Sequence, residues 1–386
     1  MVILDRPYVS DLLEDTLARL QTPVLLNHPD LALRDPGALD LRDRESFFGE
    51  LARSSHPRLY TNSEDTLGEV LAHLGDTPLS HQIRVAKDKA LMRERLQPLY
   101  PDLFFARVTL DELASLQAAG LPFPLIIKPA VGFFSLAVVS VNGPEEWDAA
   151  RARVLVELAA ARGVFPESVL NTTEMLLEQR VEGREFAIDA YFGSDGAPVL
   201  LDVIEHIFRD ADDTEDRVYL TSAALIREHG SQFATLLGEI GHRLGFMHLA
   251  AHVEFRVETS GRAVPIEINP LRLAGFCSTD LAWYAYGLNT HEAFLRGRAP
   301  DWDRLLAGRD AVYSLIICRR PQGPDRARIR GVDWDSLAAT FSQPLEIRRM
   351  DYRAYPLLAF AFIESPDMEE PRRLLQADFA QFVQMD

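Results

Sequence analysis

The chain has 386 residues, more than one ordinary core needs, so two or three packed domains are expected. Hydrophobic residues make up 47% and charged residues 25%, the balance of a soluble globular protein. A formal net charge of −18 disfavours a nucleic-acid backbone or an anionic membrane as partner, while a local cationic pocket for an anionic substrate stays compatible with it. Two cysteines, Cys277 and Cys318, are too few for a disulfide framework or a four-cysteine metal site and suit a reducing compartment. No run approaches the ~18 apolar residues of a membrane helix, and the first residues carry no leader pattern. The expectation is therefore a cytoplasmic protein.

Residues 1–80 read as an N-terminal α/β unit. Val2–Leu4 and Pro23–Leu26 are short strands around an amphipathic helix, Ser10–Leu20, opened by a serine cap. Arg58–Thr61 is a further strand, and Ser63 caps a helix through Leu74. No GxGxxG follows the first strand, so no dinucleotide site is indicated. Asp76–Leu79 reads as a turn and a domain boundary. Residues 87–97 are helical, and LPFPLIIKPAVGFFSLAVVSV gives a hairpin, Leu125–Pro129 and Leu136–Val141, around Gly132. Glu145–Ala161 is a long helix, strands flank Glu182-Gly183 and continue through APVLLDVIEHIF, and Gln232–Leu244 is helical. HLAAHVEFRVETSGRAVPIEINP is a second hairpin, turning at Ser260-Gly261. The tail from about 301 offers strands at Ala311–Cys318, Pro344–Arg349 and Leu357–Ile363, then an acidic helix, and reads as a small α+β module.

The basic residues carry a signal of their own. Of 40, 37 are arginine, and the three lysines are Lys87, Lys89 and Lys128. A lysine that persists in so arginine-biased a chain is a candidate for work that needs a compact ammonium on a thin stem, such as meeting one phosphate oxygen. The second hairpin carries Glu254 on one strand and Glu267 and Asn269, two apart, on the next. Residues i and i+2 of a strand share a face, so two carboxylates and an amide oxygen can gather as hard ligands for Mg²⁺. These residues alone serve equally well as a solvated hairpin face. Lys128 ends an apolar strand before a loop holding Gly132 and Ser135, which suits a polyphosphate but also an ordinary strand end. Glu178-Gln179 closes another strand, with Glu185 two residues past Gly183.

In order and spacing these pieces resemble the ATP-grasp superfamily, of the carboxylate–amine (amino acid) ligase type, across about residues 80–290. Asp88-Lys89 matches the early Asp-Lys, with Arg93 following, and Lys128-Pro129 the strand-end Lys-Pro. Glu178-Gln179-Arg180-Val181 matches the adenine hinge, Glu185 the ribose glutamate, and Glu254, Glu267 and Asn269 the closing metal set. The resemblance implies an α/β (α+β) ATP-grasp fold with an N-terminal α/β domain (1–80), a two-lobed nucleotide-binding core (81–300) and a small C-terminal α+β module (301–386). It implies ATP and Mg²⁺ as cofactors. Lys89, Lys128 and loop Ser135 would face phosphate, Glu178, Gln179 and Val181 adenine, and Glu185 ribose. Arg272 would steady an acyl phosphate and the oxyanion that follows. Two departures stand out: Phe133 and Phe134 occupy a loop usually richer in glycine, and Arg272 lies three residues after Asn269, where several relatives place arginine two after.

The acceptor side is less legible. DVIEHIFRDADDTEDRVYLTS carries His206, Arg209, Arg217 and Tyr219 around an acidic run, and His206 and Arg217 are the substrate candidates, with Asp213 able to hold an ammonium. A solvated acidic loop fits the same residues. Cys277 near Arg272 reads as a buried structural thiol, because acyl-phosphate chemistry needs no nucleophile, and His248 and His252 as core or pocket-lining residues. The function expected is ADP-forming ligation of a small carboxylate to an amine, with no nucleic-acid or membrane partner and a homodimer possible. A small-molecule kinase and a non-catalytic nucleotide-binding regulator on the same scaffold are the alternatives.

Overall fold

The computed structural model describes residues 1–54, 57–132, 136–161, 173–210, 213, 215–320 and 328–385. The chain divides into two compact units: residues 1–183, 190–199 and 235–277 form the first, and 184–189, 200–234 and 278–386 the second.

Unit 1 opens on a parallel sheet ordered Asp40–Leu41, Pro23–Leu26, Val2–Leu4, Tyr60–Thr61. The helix Asp11–Leu20 starts where Ser10 Oγ accepts from the Leu13 N–H at 3.2 Å, and it buries Leu13 and Leu17. Ser63 caps a short 3₁₀ turn, Glu64–Thr66, which runs into the helix Leu67–Leu74. In the stretch read as a turn, Asp76–Leu79, the chain bends at Asp76 and Thr77 and a helix begins at Pro78. Thr77 accepts from the Ser80 N–H at 3.3 Å and Pro78 takes the first helical position, where its missing N–H costs nothing.

That helix, Pro78–Lys87, ends at Asp88, and a second, Lys89–Leu96, starts there with Asp88 accepting from Ala90 N and Leu91 N. The stretch read as one helix is thus broken between its two lysines. Next comes an antiparallel sheet ordered Phe105–Thr109, Glu174–Gln179, Leu125–Pro129, Val139–Val141. The helix Trp147–Ala161 covers it, burying Trp147, Val154 and Leu158 against Leu125, Ile127, Met175 and Leu177. The hairpin's second strand begins at Val139, three residues later than the apolar run suggests. The second hairpin pairs Ala250–Val257 with Ala263–Pro270 in antiparallel register. Gly183 has φ +125° and would put a Cβ 2.0 Å from the Val257 carbonyl oxygen, so only glycine lets these backbones approach.

The strand Pro198–Ile207, in unit 2 from Leu200 on, pairs with Val218–Ser222, which pairs with Val312–Arg319, then Leu357–Ser365, then Pro344–Arg349, every pairing antiparallel. The tail strands therefore extend one sheet with residues about a hundred positions earlier, Val218 lying opposite Ile316. One face of that sheet buries Val218, Ile316, Cys318, Leu358 and Ala361 under Leu337, Phe341, Leu374 and Phe379. The C-terminal helix, Glu369–Leu375, is acidic only in its first turn and carries Arg372 and Arg373 in its last, as the helix dipole favours.

Candidate functional site

The site of unit 1 begins with the hairpin register. Glu254 lies directly opposite Glu267, and His252 opposite Asn269, so two carboxylates and a carboxamide share one end of the hairpin. Glu254 and Glu267 keep side-chain exposures of 29% and 24%, whereas Asn269 is buried. Among the described residues no three His, Cys, Asp or Glu side chains gather as a preformed cage, since the third donor here is an amide. Hard, partly accessible oxygens on a fixed hairpin nonetheless fit a magnesium ion that keeps other oxygens in its shell.

The helix break at Asp88 aims two lysines at this end. In a continuous helix, residues two apart do not face each other. Here Lys89 Nζ lies 3.0 Å from Glu267 Oε1 and 3.3 Å from the Gly132 carbonyl oxygen, and Lys87 Nζ lies 3.8 Å from Glu267 Oε1. Lys87 also donates to Glu64 Oε2 at 2.6 Å and reaches Asn269 Oδ1 at 3.3 Å. Turning the Asn269 amide over lets its nitrogen donate to Glu64 at 2.8 Å and its oxygen accept from Arg272 at 3.2 Å. Arg272 donates to Glu64 through Nε at 2.9 Å and again through Nη2. Leu271 sets that reach. It sits in the left-handed region at φ 64°, its N–H on the Ala250 carbonyl and its own carbonyl on the Thr61 N–H, both 2.8 Å.

A second buried group forms on the neighbouring sheet. Glu178 lies opposite Ile126, on the face that Lys128 shares two residues on. Lys128 Nζ is 2.5 Å from Glu178 Oε1 and 3.3 Å from the Ile266 carbonyl, and Arg93 Nε is 2.5 Å from Glu178 Oε2. Arg93 Nη1 donates to the Pro265 carbonyl at 2.5 Å.

Burial opposes ionisation of Glu178, but Arg93 and Lys128 outweigh it and pull its carboxyl down to about 2. The same contest at Glu64, with Lys87 and Arg272 as cations, holds its carboxyl far below the usual range. Burial opposes charge on Lys89, and Glu267 more than restores it. Lys128 is different: burial pulls it below an ordinary lysine, Glu178 restores only part, and Arg93 and Lys89 add to the fall.

Residues 121–280 match the family model described as the ATP-grasp domain. The chain carries an ATP-grasp domain. Its Glu254, Glu267 and Asn269, Lys128-Pro129 and Glu178 all lie within the matched residues, and Lys87 and Lys89 lie before them. No curated protein matches the chain. Among solved structures, an L-amino acid ligase from Bacillus licheniformis is similar over 100% of this chain and 98% of its own, with TM-score 0.71 and 17% identity. N5-carboxyaminoimidazole ribonucleotide synthetase from Thermotoga maritima covers 99% and 98%, at TM-score 0.65 and 14% identity. The biotin carboxylase domain of the Hydrogenobacter thermophilus 2-oxoglutarate carboxylase, solved with MgADP, ADP and bicarbonate, covers 95% and 86%, at TM-score 0.64 and 13% identity. At these identities the likeness is one of fold, and it extends over 95–100% of this chain.

The remaining candidates fall elsewhere. Gln179 ends the strand Glu174–Gln179 and Val181 is buried just beyond it. Ser135, with Phe133 and Phe134, lies outside the described residues. Glu185, His206 and Arg217 belong to unit 2, where Glu185 Oε1 lies 2.8 Å from His206 Nδ1. Arg217 pairs with Glu215, and its buried Nε has no hydrogen-bond partner among the described residues. Asp213 pairs with Arg209 at 3.2 Å. Cys277 is buried, its Sγ 3.8 Å from the Tyr8 carbonyl. His252 Nε2 lies 3.8 Å from Glu254 Oε1, and His248 lines a cavity of about 410 Å³ with Met1, Glu50, Ser54, Pro57 and Arg58. Sequence reasoning passed over Glu64 and gave Lys87 no assigned role. Lysine scarcity did mark Lys87, but only the helix break reveals where it points.

Proposed function

We propose that this chain is an ATP-dependent ligase that joins a small, amino-acid-like carboxylate to an amine, releasing ADP and phosphate. The observation that carries the reading is the meeting of Lys89 with Glu267 on a hairpin whose register sets Glu254 opposite Glu267 and Asn269 two residues on. Cations next to hard anionic oxygens are what a magnesium–polyphosphate substrate needs. The likeness in fold to an L-amino acid ligase along the full chain supports the substrate class.

In this reading Glu254, Glu267 and Asn269 hold magnesium, which when bound neutralises phosphate charge during transfer of the γ-phosphoryl group. Lys89 and Lys128 take phosphate oxygens, leaving Glu267 and Glu178 to new partners, and the loop with Ser135 adds donors. The hinge Glu178 to Val181 reads adenine, with Glu178 sharing oxygens already engaged by Arg93 and Lys128. Glu185 takes the ribose hydroxyls. Arg272, fixed by Glu64, meets the acyl phosphate and the tetrahedral oxyanion that the amine produces from it. His206 and Arg217 serve the substrates. A cytoplasmic setting fits the two buried free thiols, Cys277 and Cys318.

The test is product analysis. Carboxylic acids are screened with MgATP and hydroxylamine, following nucleotide, phosphate and hydroxamate together. ADP, phosphate and a hydroxamate in equal amounts are expected, because hydroxylamine intercepts an acyl phosphate. AMP with pyrophosphate overturns the mechanism, and ADP with a phosphorylated alcohol and no hydroxamate overturns the ligase in favour of a kinase.

A further inference from the structure

Unit 1 holds a buried guanidinium whose grip on a carboxylate is half made. Arg93, on the helix Lys89–Leu96, is 2% exposed, with Nε on Glu178 Oε2 and Nη1 on the Pro265 carbonyl, both at 2.5 Å. Its Nη2 is buried too, yet has no hydrogen-bond partner among the described residues. Native folds rarely leave a buried donor unmet, least of all on a group that is always charged. Nε and Nη2 lie along one edge of the planar guanidinium, the edge that can take both oxygens of a carboxylate. Arg184 in unit 2 shows the finished grip on Glu205, Nε to Oε1 at 2.8 Å and Nη2 to Oε2 at 2.9 Å. At Arg93 the second oxygen is turned elsewhere: Glu178 Oε1 lies 2.5 Å from Lys128 Nζ.

The two cations are not held alike. Burial opposes charge on Lys128, Glu178 restores only part of it, and Arg93 and Lys89 repel it. Its other contact is the Ile266 carbonyl at 3.3 Å. An ammonium on a flexible stem with three rotatable donors changes partner readily, whereas a planar fork cannot turn without losing its bonds together. Glu178 cannot be left with one oxygen bare, because a buried carboxylate stays ionised only with its charge met. Whatever draws Lys128 away must leave Oε1 a new donor, and Arg93 Nη2 is an unmet donor on the group that already holds Oε2.

We propose that Lys128–Glu178 is a resting contact and that Arg93 is the positioning residue that receives Glu178 when Lys128 turns to a nucleotide phosphate. Oε1 passes from Lys128 Nζ to Arg93 Nη2, and the fork closes. No covalent bond changes and no proton moves; one charge-assisted hydrogen bond replaces another. Glu178 stays ionised, its direction set by two parallel bonds, with a lone pair on each oxygen left for an adenine amino group. Engagement of phosphate by Lys128 thereby fixes the carboxylate at the adenine end. The inference rests on the nucleotide reading above.

Wild-type protein is crystallised with and without MgADP, and MgADP binding is measured by calorimetry in wild type, Arg93→Lys, Lys128→Ala and the double variant. In the wild-type complex Nη2 should lie about 3 Å from Glu178 Oε1, with Lys128 gone from it. Lys128→Ala should crystallise with the same closed fork and no nucleotide. Arg93→Lys keeps the charge but offers no fork, so it should weaken MgADP binding about tenfold. In the Lys128→Ala background Glu178 already rests on the fork before binding, and there the same change should cost no more than about twofold. An arginine with a merely structural role would cost the same in both backgrounds. Equal losses, wild-type affinity in Arg93→Lys, or an open fork in Lys128→Ala or in the wild-type complex overturns the exchange alone, and the wild-type crystals decide it even where a variant fails to fold. Wild-type protein that binds no MgADP overturns the nucleotide reading itself.

Discussion

Glu178 in unit 1 and Asp202 in unit 2 are both carboxylates removed from water, at 2% and 0% exposure, and they meet opposite fates. Glu178 is gripped by Arg93 and Lys128, each at 2.5 Å, and ionises with its carboxyl pulled down to about 2. Asp202 Oδ1 accepts from Thr221 at 2.7 Å and from the Val203 N–H at 2.8 Å, and Oδ2 has no partner among the described residues. Burial dominates there, Asp189 adds a like charge, and the carboxyl is pushed up to about 7. Burial alone does not decide whether an acid is charged. A cation within hydrogen-bond reach does, because desolvation acts on both groups and only Glu178 has a counter-charge to outweigh it.

The comparison can be broken most severely at Glu178. Glu178→Gln strands two buried cations, so unfolding in urea should show a loss of about 3–5 kcal/mol. A variant as stable as wild type would mean that the pair contributes nothing to the fold. Removing a cation from the same group should act on the nucleotide. Lys128→Ala should weaken ATP binding by about 2–4 kcal/mol by calorimetry, and Lys128→Arg should bind poorly despite its charge, since a planar guanidinium does not fit where an ammonium meets one oxygen. Unchanged ATP affinity in both variants would make Lys128 a partner of Glu178 and nothing more.

The gentlest effect is on pH. Asp202 keeps its proton in the folded chain up to about 7, while an unfolded aspartate loses it near 3.8. The folded state therefore holds the extra proton in that window, and its stabilising effect fades as pH rises through it, by at most about 1.4 kcal/mol per pH unit. Glu178 works the other way, stabilising above its ordinary 4.5 and losing that contribution as pH falls toward 2. Asp202→Asn cannot ionise. Its melting temperature relative to wild type should climb from pH 5 to about pH 7 and then level off, and parallel melting curves would place a counter-charge beside Asp202.

Much was legible in the chain itself. The strands Val2–Leu4, Pro23–Leu26, Leu125–Pro129 and Pro344–Arg349 begin and end where apolar runs meet turn residues, because local hydrophobic pattern and turn chemistry act over a few residues. The second hairpin and its Glu254, Glu267 and Asn269 could be read because period-two alternation fixes which side chains share a face. What the sequence could not supply were pairings between distant segments: Val218 with Ile316, Glu64 with Lys87 and Arg272, and the Asp88 break that turns two neighbouring lysines to one carboxylate. Composition and spacing thus determined which chemical groups this protein owns. Only the tertiary structure decided which of them meet and, by granting or withholding a counter-charge in a dry interior, which carry charge.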